Sequence, residues 1–127
     1  MSDFTAVETS AAPRALGPYS QGIRWNSMLF LSGQVGIDPD TGKMVSGGME
    51  AQARQAFTNI RAVLEAAGAD FTNVVKTTVY LVNLEDFAGL NTLYQEYFSA
   101  PYPARAAIGV RELPAGALVE IEVTAVL

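Results

Sequence analysis

Two segments near the C-terminus, residues 104–110 and 118–126, repeat apolar side chains with the period of two that is typical of β-strands. Arg105 lies in the first segment and Glu120 in the second, so both charges fall within an otherwise buried pleat and not on a loop. A charge in such a place needs a partner. An arginine can bind a carboxylate through two parallel hydrogen bonds, which makes Arg105 a candidate anchor for a small acid. On spacing alone, an internal salt bridge is the favoured interpretation.

Length and composition limit the number of domains and the class of protein that the chain can form. The chain has 127 residues, 50% of them hydrophobic, and we expect one compact domain, residues 1–127, that buries roughly two-thirds of its unfolded surface. Its apolar runs are much shorter than the ~20 residues that a membrane-spanning helix needs. The polar start MetSerAspPheThr lacks the basic and apolar regions of a secretion signal. We therefore expect a cytoplasmic protein with no membrane partner.

The residue types that are absent exclude much chemistry. The chain has no histidine and no cysteine, which removes Ser/His/Asp and Cys/His relays, thiolate nucleophiles and the usual metal sites. Neither a Walker pattern nor a dinucleotide fingerprint occurs, so we expect no metal and no cofactor. With 8 basic and 13 acidic residues the net charge is −5, which makes nucleic acid an unlikely partner by electrostatics.

The patterns along the chain predict an α+β fold with the element order βββαβαββ. AsnSer at 26–27 joins two strand-like runs as a hairpin, and AspProAspThrGly (38–42) reads as a loop. Gly68 ends the first helix, and Asn83 is the expected cap of the second, which carries an aromatic stripe. Strands are expected at 4–9, 20–25, 28–35, 74–82, 104–110 and 118–126, and helices at 49–67 and from Asn83 to Pro101. Both helices can cover one face of a mixed sheet, so the opposite face would need cover from further subunits.

Several blocks of the chain resemble the reactive intermediate deaminase family, also called RidA or YjgF. The strongest is ProAlaArgAlaAlaIle (103–108), followed by Leu113 and ValGluIle (119–121). Further matching blocks, in the same order and spacing, are GlyProTyrSerGln (17–21), SerGlyGln (32–34), AspProAspThrGly (38–42), AlaGlnAlaArgGln (51–55) and ValValLysThrThrValTyr (74–80). The resemblance covers nearly the whole chain.

This resemblance implies a chorismate-mutase-like fold, assembled as a homotrimer with clefts between neighbouring subunits. In the family, the arginine that matches Arg105 grips the carboxylate of a 2-imino acid, and the glutamate that matches Glu120 is proposed to activate the attacking water. The resemblance thus implies hydrolytic deamination of 2-iminobutanoate and 2-iminopropanoate to 2-oxo acids and ammonia, without metal or cofactor. Glu122 matches no such role, and we expect it to be structural.

The resemblance also implies further residues of the cleft. Tyr19 would line it, Ser32 and Gly33 would lie at the strand end that faces the substrate, and Asn91 would be a polar helix residue near it. Interface packing for Tyr19, an ordinary strand-end hydroxyl for Ser32 and a surface position for Asn91 are the alternatives. Ala107 stands where many relatives carry cysteine or serine. Its methyl group cannot act as a nucleophile or donate a hydrogen bond, which argues against covalent catalysis.

Two other classes of function stay open at this point. Some relatives carry endoribonuclease or translation-inhibitor descriptions, although the acidic charge and the absence of histidine weigh against RNA chemistry here. The same cleft could also serve a non-catalytic protein that binds small carboxylates.

Overall fold

A six-stranded mixed sheet forms the framework of the computed structural model, which describes residues 3–127. The strands, in chain order, are β1 (Phe4–Val7), β2 (Gly22–Trp25), β3 (Met28–Leu31), β4 (Ile37–Asp38), β5 (Lys43–Met44), β6 (Val74–Leu81), β7 (Ala104–Gly109) and β8 (Val119–Val126). The large sheet has the order β1-β2-β3-β8-β6-β7, and β4 pairs with β5 in a separate ribbon. Only the β6–β7 pair of the large sheet is parallel. The predicted strand order along the chain is thereby confirmed for the large sheet.

The two helices are α1 (Gly48–Ala66) and α2 (Phe87–Tyr94). Helix α1 agrees with its prediction, and the chain leaves it at Gly68, whose φ of +78° suits a residue without a side chain. The prediction for α2 was too long at both ends. Residues Leu84–Asp86 form a separate 3₁₀ turn, and the Asn83 side chain does not cap it. Past Tyr94 the chain continues in turns that carry the next aromatic rings into the core.

Aromatic packing joins the first helix to α2 and to the turns that follow it. The buried Phe57 ring of α1 is stacked on Tyr97 at 4.2 Å between centroids and meets Tyr94 and Phe98 edge-on at 6.3 Å and 6.0 Å. Such pairs add about 0.5–1.5 kcal/mol each beyond the area that they bury. The predicted aromatic stripe therefore belongs largely to the core. A hydrogen bond of 2.9 Å between the Tyr94 hydroxyl and Thr77 of β6 places α2 beside the sheet.

Within residues 3–127 no helix covers the opposite face of the sheet. In β8 the odd-numbered residues from Val119 to Ala125 are buried beneath the helices, whereas Glu120, Glu122 and Thr124 project to the other side and are only half-buried. By strand register this open face also bears exposed apolar side chains, namely Phe4, Trp25, Phe30 and Ile108, each between 42% and 50% exposed. The expectation that further subunits cover this face stays a prediction.

Two short segments refine the sequence interpretation. The hairpin at 26–27 is confirmed, and Asn26 supplies its positive φ of 54°. Residues 38–42 do turn the chain, but β4 and β5 flank that turn as a ribbon, which the sequence did not predict because two-residue strands show no periodicity.

No helix between residues 3 and 127 is both long and apolar enough to cross a bilayer. Met1 and Ser2, which open the polar start considered for a secretion signal, lie outside the described residues.

Candidate functional site

Arg105 lies on β7, at the edge of the sheet. Among the described residues β7 pairs only with β6, so the strand is largely exposed. Arg105 itself is exposed, whereas its alternation predicted a buried position. Apolar alternation shows which residues share a face, but it cannot distinguish a central strand from an edge strand. In register Arg105 lies beside Thr77 of β6, whose hydroxyl contacts α2, so Arg105 projects on the helix side.

Helix α2 holds the Arg105 guanidinium from three positions. Its Nη1 donates a hydrogen bond of 2.7 Å to Oδ1 of Asn91. The guanidinium carbon lies 4.9 Å from the centroid of the Tyr94 ring and 5.3 Å from that of Phe87, within cation–π range. Burial is the main cause that raises the pKa of Tyr94, so its hydroxyl stays neutral beside the guanidinium. We name Arg105, Asn91, Phe87 and Tyr94 the guanidinium cluster.

The surroundings of Arg105 bear on the salt-bridge interpretation. Within residues 3–127 Arg105 makes no ion pair, whereas Arg54 pairs with both Glu50 and Glu96. The internal salt bridge that spacing alone favoured is therefore wrong. Asn91 supplies a neutral acceptor and leaves the positive charge uncompensated.

Phe87 and Tyr94 are members of the site that the sequence did not predict. Their stripe was assigned to the core, although the half-buried Phe87 and the buried Tyr94 border both the core and Arg105. The one available signal was their spacing around Asn91 on a helix that precedes β7.

Ala107 lies two residues beyond Arg105 on β7 and on the same side of the sheet. It is half-buried and pairs in register with Val79 of β6. Its methyl group adds no polar atom on that side of the strand.

Glu120 and Gly33 meet on the open face. A Cβ atom at position 33 would lie 2.8 Å from Oε2 of Glu120 and 3.0 Å from its Cδ, so the carboxylate occupies space that any other residue would fill. Paired backbone hydrogen bonds between Gln34 and Ile121 hold the two segments together. Burial raises the pKa of Glu120, and the negative charge of Glu122 raises it further. Glu120 is therefore a stronger base than an ordinary glutamate.

Ser32 directly precedes Gly33, and Tyr19 lies in the loop before β2. The Ser32 hydroxyl donates a hydrogen bond of 2.6 Å to the carbonyl oxygen of Ser20. The backbone N–H of Ser32 donates a second hydrogen bond, to the carbonyl oxygen of Gln21. These two bonds connect the loop before β2 to the end of β3. Tyr19 directly precedes Ser20 and is 56% exposed. We name Glu120 and Gly33, together with Ser32 and Tyr19 on the adjoining segments, the carboxylate cluster.

The two clusters lie on opposite faces of the sheet. Glu120 pairs in register with Tyr80 of β6, which in turn pairs with Ile108 of β7, so Glu120 is two strands away from the strand of Arg105. Neighbouring strands are about 4.8 Å apart, and the sheet itself separates the side chains. One chain alone therefore cannot place Arg105 and Glu120 on one small molecule. In the part of the chain that is described, no group of three or more acidic residues is arranged to hold a metal ion.

Comparisons with known proteins agree with the fold and with the resemblance of the sequence blocks. The sequence profile of the Endoribonuclease L-PSP family matches residues 9–127. The human 2-iminobutanoate/2-iminopropanoate deaminase is 48% identical over 120 residues, 94% of this chain and 88% of that protein. The Arabidopsis thaliana Reactive Intermediate Deaminase A is 50% identical over 121 residues, 95% of this chain and 65% of that protein.

Among solved structures, RidA from an Antarctic Psychrobacter superposes with a TM-score of 0.93 at 45% identity, covering 97% of this chain and 99% of that one. Escherichia coli TdcF, solved with bound serine, superposes with a TM-score of 0.91 at 39% identity, covering 97% and 98%. The chain thus belongs to the Endoribonuclease L-PSP family, among the RidA-type reactive intermediate deaminases that its sequence blocks resemble.

Proposed function

We propose that this protein hydrolyses small 2-imino acids, such as 2-iminobutanoate and 2-iminopropanoate, to 2-oxo acids and ammonia. The observation that carries the proposal is the uncompensated guanidinium of Arg105. It is exposed, held by Asn91 and two aromatic rings, and free of any carboxylate within residues 3–127. A substrate carboxylate is the ligand that such a group accepts in two parallel hydrogen bonds.

The reactive site forms between copies of the chain. Arg105 and Glu120 face opposite sides of one sheet, so the Arg105 edge of one copy must dock near Glu120 on the open face of the next. The exposed apolar side chains of that face would be covered in the same contact. Three copies arranged in a ring repeat this heterologous contact and close it, which gives a homotrimer with three clefts.

The clefts bring the remaining residues to the substrate. Arg105 and Asn91 of one copy orient the carboxylate, and the small Ala107 leaves space for the substrate side chain. Gly33 and Ser32 of the next copy flank Glu120, and Tyr19 closes the mouth of the cleft. The substrate would therefore be held at its acid group by one subunit and attacked from the other.

Hydrolysis then needs one positioned water and one acid–base group. Glu120 accepts a proton as the water oxygen bonds to C2, and the imine nitrogen takes up a proton from solvent as the C=N double bond becomes single. The resulting tetrahedral carbinolamine carries a hydroxyl and an amino group on C2. Glu120 returns its proton to the amino nitrogen, the C–N bond breaks, and the hydroxyl loses its proton as the C=O bond forms. Ammonia and the 2-oxo acid leave.

The proposal needs no metal or cofactor, because these imines already hydrolyse in water. Proton transfer by one positioned side chain contributes about 10²–10⁴-fold, and the anchored carboxylate supplies orientation. The raised pKa of Glu120 moves its basicity toward neutral pH, which favours its role as the proton acceptor.

The direct experiment couples the purified protein to a threonine dehydratase that releases the enamine precursor of 2-iminobutanoate. Semicarbazide traps the imine, and we expect the protein to lower the yield of trapped imine and to speed the appearance of 2-oxobutanoate. Unchanged trapping at micromolar protein would contradict the proposal.

The same preparation distinguishes the alternatives. Tight binding of 2-oxobutanoate without any change in trapping would indicate a carboxylate-binding protein without catalysis. RNA binding that weakens with salt would support the endoribonuclease alternative, which the net charge of −5 disfavours. A crystal soaked with a 2-oxo acid should show its carboxylate against the guanidinium of Arg105.

Gly33→Ala should lower kcat by roughly 10–100-fold while the trimer stays folded. The new Cβ would come within 2.8 Å of Glu120 Oε2, and the flexible carboxylate can turn away more easily than the backbone can shift. A displacement of about 1 Å at a reacting group can cost 10²-fold. The semicarbazide assay and a thermal melt measure the two effects.

Gly89→Ala is the matched control, because a Cβ there would lie 3.6 Å from Met49 Cε, an ordinary contact. We expect this variant to stay active. Its free energy of unfolding should rise by about 0.5–1 kcal/mol, because alanine has a higher helix propensity than glycine. Full activity of Gly33→Ala would show that the space beside Glu120 does not position the carboxylate.

A further inference from the structure

We propose that Glu122, held in place by the Tyr80 hydroxyl, is a positioning residue that directs the proton of the attacking water to Glu120. The inference rests on the proposed function, because it assigns the electrostatic environment of the same reaction. Glu122 would act through Glu120 and would not itself contact the substrate.

The geometry of the open face brings the three side chains together. Tyr80 pairs in register with Glu120, and Glu122 is the next residue of β8 on the same face. The Tyr80 hydroxyl donates a hydrogen bond of 2.8 Å to Oε1 of Glu122, across the diagonal between β6 and β8. Glu122 is therefore fixed by a bond from a neighbouring strand, whereas the Glu120 carboxylate has no hydrogen-bond partner among residues 3–127.

The hydrogen bond divides the two carboxylates into different roles. One oxygen of Glu122 accepts the hydrogen bond from the Tyr80 hydroxyl, which holds this carboxylate beside Glu120. Glu122 also accounts for the largest part of the rise in the pKa of Tyr80, so the hydroxyl keeps its proton and remains a donor. Paired carboxyl groups in unlike environments take different roles in acid–base chemistry. Glu120, the unpartnered member, is the one that gains and loses the proton.

Few other charged groups face Glu120. From β8 the neighbour is Glu122, and from β6 it is Tyr80, with the exposed Lys76 four residues farther along the strand. From β7 the neighbour in register is the uncharged Ile108, and the segment around Gly33 adds no charge. Within the chain, burial and Glu122 are the causes that raise the pKa of Glu120. In the proposed cleft, the positive charge of Arg105 from the adjacent copy lowers the pKa of Glu120. This effect is the same in the wild type and in the variants.

The test replaces Glu122 with glutamine, which keeps its shape and removes its charge. We expect the acid limb of the pH profile of kcat/KM to move to lower pH, and kcat at neutral pH to fall by roughly two- to tenfold. Loss of the acid–base group itself would lower kcat by about 10²-fold or more. Glu122→Asp and Tyr80→Phe both keep the charge, so they should keep the acid limb near its wild-type position. Glu65→Gln on the exposed side of α1 removes one charge far from the cleft and should change neither quantity.

A second measurement does not depend on activity. The ¹³C NMR signal of the Glu120 side-chain carboxyl, assigned by its loss in Glu120→Gln, reports its titration directly. We expect its midpoint to move to lower pH in Glu122→Gln and to stay in place in Glu65→Gln. An unchanged midpoint and an unchanged acid limb would overturn the role of Glu122, even if every variant deaminates imines. Inactivity of the wild-type protein, together with a shifted midpoint, would instead contradict the proposed function alone.

Discussion

Replacing Arg105 with alanine should lower kcat/KM for 2-iminobutanoate by about 10²–10⁴-fold and leave the oligomer intact. Two hydrogen bonds between the guanidinium and the substrate carboxylate are worth roughly 1.5–3 kcal/mol each, and every 1.4 kcal/mol is tenfold. Folding should change little, because the exposed guanidinium gives up one hydrogen bond to Asn91 and two cation–π contacts. Initial rates in the coupled semicarbazide assay, with sedimentation or light scattering for assembly, measure both results.

Two variants separate charge from geometry at Arg105. Arg105→Lys keeps the positive charge but loses the planar pair of donors, so we expect partial activity with a raised KM. Arg111→Ala removes an exposed cation beyond the far end of β7 and should stay active. Collapse of the fold or the oligomer in Arg105→Ala would point to a structural role, and near wild-type activity would remove the anchor from the proposal.

Local patterns predicted most of the fold because its elements obey simple periods. The first helix is a one-sided 3.6-residue pattern that ends in glycine, and β8 is a strict alternation, so both were identified correctly. The second helix was predicted too long. Its stripe continues to Tyr97, but the rings after Tyr94 reach Phe57 from turns and not from a helix. Tertiary packing decides such ends, and a single sequence does not show it.

The candidate site was harder to predict than the fold. Spacing placed Arg105 and Glu120 in strands but favoured an internal salt bridge for Arg105, and only the pairing of the strands shows that the two residues face opposite sides. Likewise, the contact between Gly33 and Glu120 joins two segments that are far apart in the sequence. The resemblance to a family supplied the roles of these residues. The strand topology is the reason why the proposed site combines residues of two copies.

Glu120 shows how a chain without histidine can hold a carboxylate of raised basicity. Glu120 lies where burial and a neighbouring negative charge both raise its pKa, and a glycine opposite leaves its oxygens accessible. Because the fold disfavours the ionised form, this carboxylate costs stability at neutral pH. This loss of stability is fully present at pH values above the raised pKa of Glu120. It disappears as the pH falls below the ordinary pKa of a glutamate.

Glu120→Gln should therefore lower kcat by about 10²–10⁴-fold without loss of stability. The glutamine keeps the shape of the side chain, cannot accept the proton of the water, and removes the buried charge. In the wild type, activity should fall as the pH decreases through the raised pKa of Glu120, and the residual activity of the variant should lose that acid limb. The pH profile of kcat and thermal melts at neutral pH measure these effects. The exposed Glu112→Gln controls for a lost surface charge. A Glu120→Gln protein that melts well below the wild type would show that this carboxylate supports the fold, whereas a variant with full activity would exclude it as the base.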